Sequence, residues 1–107
     1  MLTIDDFQKL DIRIGTVLSA EKVPETDKLL KFELDFGTEK RTIIGGWAVA
    51  YPEPAKLVGT QLAAILNLEP RTIRGIASQG MLLSAVHNEQ PVALHPDRSV
   101  ENGSVVR

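Results

Sequence analysis

The chain has 107 residues, enough for one domain with a modest core. It is 43% apolar and 24% charged, carries a net charge of −2 and has no cysteine, which excludes disulfides and thiolate zinc sites and suits a reducing, cytoplasmic compartment. No apolar run nears the roughly 18 residues of a membrane span, the acidic opening Met1–Asp6 is unlike a signal peptide, and any polyanion site must be a local basic patch on an acidic body.

In chain order, the first predicted element is a short helix. Thr3 is the expected N-cap, Asp5 and Asp6 sit where the helix dipole favours acids, and Ile4, Phe7 and Leu10 share one face. Ile12, Ile14 and Leu18 then alternate with Arg13, Gly15, Val17 and Ser19 as a first strand. Leu30 to Phe36 alternates without fault, four apolar side chains against three charged ones, and is the second strand. A turn at Gly37-Thr38-Glu39 leads to a third, Arg41–Ile44. Pro52 and Pro54 open a short helix through Val58 that Gly59 stops. Gln61 to Leu68, too apolar to alternate, is a fourth strand buried on both faces, and Ser78 to Val86 is a fifth. The tail holds turn residues and two short apolar pieces, Val92-Ala93-Leu94 and Val105-Val106. Helix, three strands, helix, two strands and tail, in a single domain spanning residues 1–107, fit an all-β OB-fold, a partly open five-stranded barrel. A generic small barrel or sandwich is the alternative.

One stretch narrows the choice. Asn67-Leu68-Glu69-Pro70-Arg71, the basic Arg74 before Gly75, and Ser78-Gln79-Gly80-Met81 together resemble the signature of the tRNA-binding domain family. Phe7–Gly15, Asp27-Lys28-Leu29-Leu30, Leu94-His95-Pro96-Asp97-Arg98 and Gly103-Ser104-Val105-Val106 resemble further family segments in the right order. The family includes the C-terminal domain of bacterial methionyl-tRNA synthetases, free-standing dimeric tRNA-binding proteins and a relative described as a secretion chaperone. Two departures stand out: Val23-Pro24 replaces the usual His-Pro, and Gly45-Gly46-Trp47 replaces the usual Ser-Gly-Ile. The resemblance implies an OB-fold that binds tRNA or another structured RNA without catalysis or cofactor. The nucleotide-binding motifs of a synthetase are missing from the sequence, so this copy is expected to act alone or in trans.

RNA binding needs spaced cations, donors for phosphate and 2′-hydroxyl groups, and surfaces for bases. The expected contacts are Lys28, Lys31, Arg41, Asn67, Arg71, Arg74, Ser78 and Met81, with Lys40 extending the patch. Arg71 and Arg74 offer planar forks for phosphate, Asn67 and Ser78 hydrogen-bonding groups, and Met81 an adaptable apolar surface. The alternatives are structural: solvated loop arginines, a polar strand face at Lys31, backbone satisfaction by Asn67 and Ser78, a core Met81. Arg13, among acids, reads as a structural ion pair, and Trp47 either stacks a base or plugs the barrel. His87 and His95 lack carboxylates at ligand spacing, so no metal site is expected, and no nucleophile elbow or phosphate loop appears.

Ile4, Phe7, Leu10, Val92, Leu94 and Val105 are the expected homodimer surface, since a small barrel with apolar extensions buries them by self-association and the stand-alone relatives are dimers. Two further readings compete with RNA binding. One is a chaperone-like peptide binder using an apolar groove near Met81 and Trp47; the other is an assembly factor docking on a synthetase.

Overall fold

The computed structural model describes all residues, 1–107. Thr3 caps α1 (Ile4–Gln8) in a capping box: its hydroxyl accepts from the Asp6 backbone while the Asp6 carboxylate accepts from the Thr3 backbone. The strands are β1 (Ile12–Lys22), β2 (Leu30–Asp35), β3 (Lys40–Gly45), β4 (Gln61–Ile65), β5 (Arg71–Ile73), β6 (Ile76–Ser78), β7 (Met81–Leu82), β8 (Ser84–His87) and β9 (Gln90–Ala93). A 3₁₀ turn at Pro54–Leu57 links β3 to β4. The main sheet is antiparallel with order β3-β2-β1-β4-β7, a nearly closed barrel of the expected OB type. β5–β6 and β8–β9 are separate hairpins.

The barrel interior comes from the alternation read in β2. Leu30, Phe32 and Leu34 are fully buried, joined by Phe36, Val17, Ile43 and Leu62, while Lys31, Glu33 and Asp35 face outward. β4 is buried on both faces as expected but ends at Ile65, short of the expected Leu68, which is exposed. Leu62 and Ala64 enter the interior; Ala63 and Ile65 join Ile12 and Ile14 in a second, outer cluster covered by Phe7, Leu83 and Val106. The tail holds this cover in place by running antiparallel to β1: Ile14 N–H donates to the Ser104 carbonyl at 2.9 Å and Val106 N–H to the Ile12 carbonyl at 2.9 Å.

Three expectations need correction. In β1, Val17 is buried and Leu18 exposed: Val17 continues the inward side that Gly15 already takes against Phe36, while Leu18 is the extra residue of a bulge between Val17 and Ser19, which shifts the period so that Ala20 turns inward after it. The fifth strand is not continuous from Ser78 to Val86. Only Met81 and Leu82 pair with β4, and the chain then leaves the barrel to form β8–β9. The segment from Arg71 is a β-hairpin and not a loop, closing at Arg74 and Gly75 with positive φ at both, as a two-residue type I′ turn requires.

Trp47 packs and does not stand free. It is 4% exposed, meets Phe32 edge-on at 5.5 Å and stacks on Tyr51 at 5.4 Å. A side chain at Gly45 would approach the indole to 2.9 Å, so Trp47 in this position requires the glycine. No helix is long and apolar enough to cross a membrane.

Candidate nucleic-acid interface

The β5–β6 hairpin projects from one side of the barrel, and its attachment explains much of the Ser78-Gln79-Gly80-Met81 motif. β3 needs a partner on its free edge, and this segment supplies one chiefly through side chains. Ile44 N–H donates to Ser78 Oγ at 3.0 Å and Thr42 N–H to Gln79 Oε1 at 3.1 Å, while Gln79 N–H donates to the Thr42 carbonyl at 2.8 Å. Gly80 follows at φ 148°, where an added side chain would meet the Ile65 carbonyl at 2.8 Å. The motif thus closes the barrel seam and plants the hairpin on it: Ser78 is also the cross-strand partner of Arg71.

This geometry gives three of the expected residues structural contacts within the barrel. Ser78 is 2% exposed and its hydroxyl is engaged at the seam, so it presents no group at the surface. Asn67 is exposed as a residue, but its amide is occupied: Oδ1 accepts from the Asp11 N–H at 2.8 Å and Nδ2 donates to the Lys9 carbonyl at 2.6 Å, tying the exit of α1 to the end of β4. Arg41 pairs through Nε with Glu39 at 2.5 Å and donates Nη1 to the carbonyls of Leu66, at 2.6 Å, and Gln79, at 3.0 Å. It braces the seam. Arg13 is held by Asp11 at 2.7 Å, the structural ion pair the sequence suggested, and also donates to the Gly103 carbonyl.

The remaining expected residues are available to solvent. Arg71 and Arg74 are exposed and have no carboxylate within ion-pair distance. Lys28, in the loop between β1 and β2, is exposed and equally unpaired, and it lines the same open hollow as Arg74. Lys31 is on the outer face of β2, its Nζ 3.8 Å from Glu21. Met81, 43% exposed, lies on β7 with Leu82 beside it turned inward. Lys28 and Arg74 are therefore brought together from positions far apart in the chain. They come from the β1–β2 loop and the hairpin after β4, the two loops through which OB-folds bind oligonucleotides. Sequence reading missed Gln79, Thr42 and Glu39, whose seam roles follow only from strand adjacency. It also missed Glu25 and Asp27, which share the Lys28–Arg74 hollow.

On a different face, the terminal apolar residues gather. Leu94, Pro96, Val100 and Val105 border a groove of about 460 Å³ floored by Ile14, Ala63 and Leu83. Phe7, Leu10, Val105 and Val106 border an adjoining hollow. Ile4 on α1 and Val92 on β9 are exposed outside both. No group of three His, Asp or Glu side chains converges in the chain.

Comparison with known proteins agrees with this construction. The methionine--tRNA ligase of Bacteroides fragilis is 51% identical over 107 residues, covering 99% of this chain. That of Parabacteroides distasonis is 50% identical over the same length. The chain spans only 16% of the length of either ligase. A crystal structure of a MetRS-related protein from Pyrococcus horikoshii superposes with a TM-score of 0.93 at 35% identity, covering 100% of this chain and 98% of that one. The chaperone CsaA of Bacillus anthracis superposes at 0.89 with 31% identity, covering 100% and 99%. Residues 12–105 match the family model described as a putative tRNA-binding domain, and the chain belongs to that family.

Proposed function

We propose that the chain is a non-catalytic, structure-specific tRNA binder that works as a homodimer in the cytoplasm. The observation that carries this reading is the gathering of cations that make no ion pair on the OB binding side: Arg71 and Arg74 on a hairpin seated on the barrel seam, and Lys28 sharing with Arg74 a hollow that also holds Glu25 and Asp27. Arginine forks suit phosphate oxygens, and a cation that makes no ion pair has none to break on meeting them. Lys31 and Met81 extend the surface along β2 and β7. Family membership supplies the class of ligand.

The test is a titration against total tRNA, single-stranded RNA and duplex DNA at 50 and 200 mM salt. Neutralising on the order of three to five phosphates predicts a loss of about 20- to 500-fold in affinity between the two conditions, with tRNA the tightest ligand at both. Equal affinity for all three, or none for tRNA, overturns the reading.

A second reading is favoured by the apolar groove at Leu94 and Val105 and by the likeness to the chaperone CsaA: the chain holds extended peptides there. Peptide binding that is insensitive to salt and blocked by Leu94→Asp would support it. A homodimer that buries the groove would exclude peptide from it, so the two readings compete for one surface.

A further inference from the structure

The hollow between the β1–β2 loop and the hairpin tip holds an unusual set of side chains for a phosphate site. It is an open hollow of about 350 Å³ lined by Glu25, Thr26, Asp27, Lys28, Leu29 and Arg74. Elsewhere Lys9, Arg13, Lys31, Arg41, Lys56 and Arg98 each sit within 4 Å of a carboxylate, and Lys22, Lys40, Arg71 and Arg107 do not. Here two carboxylates and two cations share one hollow, and none of the four side chains makes an ion pair or a hydrogen bond. Two of the four non-glycine residues with positive φ, Glu25 at 64° and Arg74 at 53°, also line it. Such backbone is costly for both residue types, and the loops nevertheless hold it at both sides of the opening.

A pure phosphate site has no use for carboxylates, which repel the ligand. A site for one unpaired nucleotide does. The phosphate meets Arg74 and Lys28, Leu29 offers an apolar wall to the base, and a carboxylate accepts hydrogen bonds from the base's donor edge. Among the four bases, guanine alone places two adjacent donors, N1–H and N2–H, on its Watson–Crick edge, matching the two oxygens of one carboxylate. Uracil presents a single N–H flanked by two carbonyl oxygens that a carboxylate repels. We infer that this hollow binds an unpaired guanine nucleotide of an RNA strand, its base edge on Glu25 or Asp27 and its phosphate on Arg74 and Lys28. The inference rests on the RNA-binding reading and adds to it a base preference at one position.

The experiment uses the full chain and 5′-labelled pentamers UUGUU and UUUUU, followed by fluorescence anisotropy, with GMP and total tRNA titrated alongside. The expected result is that UUGUU binds about tenfold tighter than UUUUU, the share of one bidentate base contact. The double variant Glu25→Gln, Asp27→Asn should reduce that ratio to about twofold or less, and Arg74→Ala should weaken both pentamers alike. Equal binding of the two pentamers, or a preference that survives the double variant, overturns the inference. GMP binding as tightly as UUGUU would also overturn it, assigning the hollow to a free nucleotide. If tRNA binds while the pentamers are indistinguishable, only the base preference fails; if tRNA does not bind, the RNA reading itself fails.

Discussion

Arg41 and Arg71 look alike in the sequence, both basic residues at the start of a strand, and the structure gives them different work. Arg41 donates to two main-chain carbonyls across the barrel seam, Arg71 to none. Arg41→Ala leaves those carbonyls without their charged donor, so a loss of about 1.5–3 kcal/mol in urea denaturation is expected. Arg71→Ala and Arg74→Ala should change stability by no more than about 0.5 kcal/mol while weakening tRNA binding. An Arg41→Ala variant as stable as the parent would show that the seam does not need its guanidinium. Residue types at the site were legible in the sequence, because arginine before a glycine turn is distinctive. Their division of labour was not, because it depends on which carbonyls lie within about 3 Å after the barrel closes. Asn67 shows the same limit: its partners are 56 and 58 residues away in the chain.

At the scale of elements, periodicity served where burial is one-sided or total. It placed β2 and β4, whose patterns follow directly from a half-buried and a doubly buried strand. It failed where a strand changes allegiance: at the β1 bulge, and at β7, which leaves the barrel after two residues. The seam is the second failure's counterpart, since side chains of Ser78 and Gln79 stand where a strand ladder was expected. Ser78→Ala would bury the Ile44 N–H without an acceptor, costing about 1–3 kcal/mol and loosening the hairpin that carries Arg71. Faster amide hydrogen exchange at Ile44 and in β5–β6, with β1–β2 unchanged, is the expected signature. Helix α1 has its own handle. Hydrogen bonds from the Thr3 backbone and then its hydroxyl, with Lys9 nearby, hold the Asp6 carboxyl below its ordinary value of 3.8. A depressed carboxylate stabilises the folded helix above its unfolded value, and that contribution is lost as pH falls through the lower folded value. Amide shifts of Thr3 and Asp6 should therefore report fraying of α1 in acid below pH 3.8, and Asp6→Asn should remove the pH response.

For the whole molecule, net charge misleads because it averages over pairs. The chain is acidic, with twelve Lys and Arg against fourteen Asp and Glu, yet only six of its cations are held in ion pairs, and Arg71, Arg74 and Lys28 are among the six that are not. What composition did convey is the difficulty of hiding apolar surface in a chain this short. Ile4, Leu10, Leu94 and Val105 are each more than 40% exposed, and the last two border the groove over the outer cluster of β1 and β4. The homodimer proposed above would turn that face against an identical one across a two-fold axis, where the same patch is self-complementary. Such a dimer carries two hairpins and can hold one large RNA at two points, multiplying affinity without new kinds of contact. Size-exclusion chromatography with light scattering at micromolar concentration should give twice the chain mass of 11.7 kDa. Val105→Asp places a charge in the centre of the face and should yield a folded monomer that binds tRNA more weakly although Arg71, Arg74 and Lys28 are intact. A parent chain that elutes as a monomer would overturn the dimer, and a monomeric variant with undiminished tRNA affinity would show that one hairpin suffices.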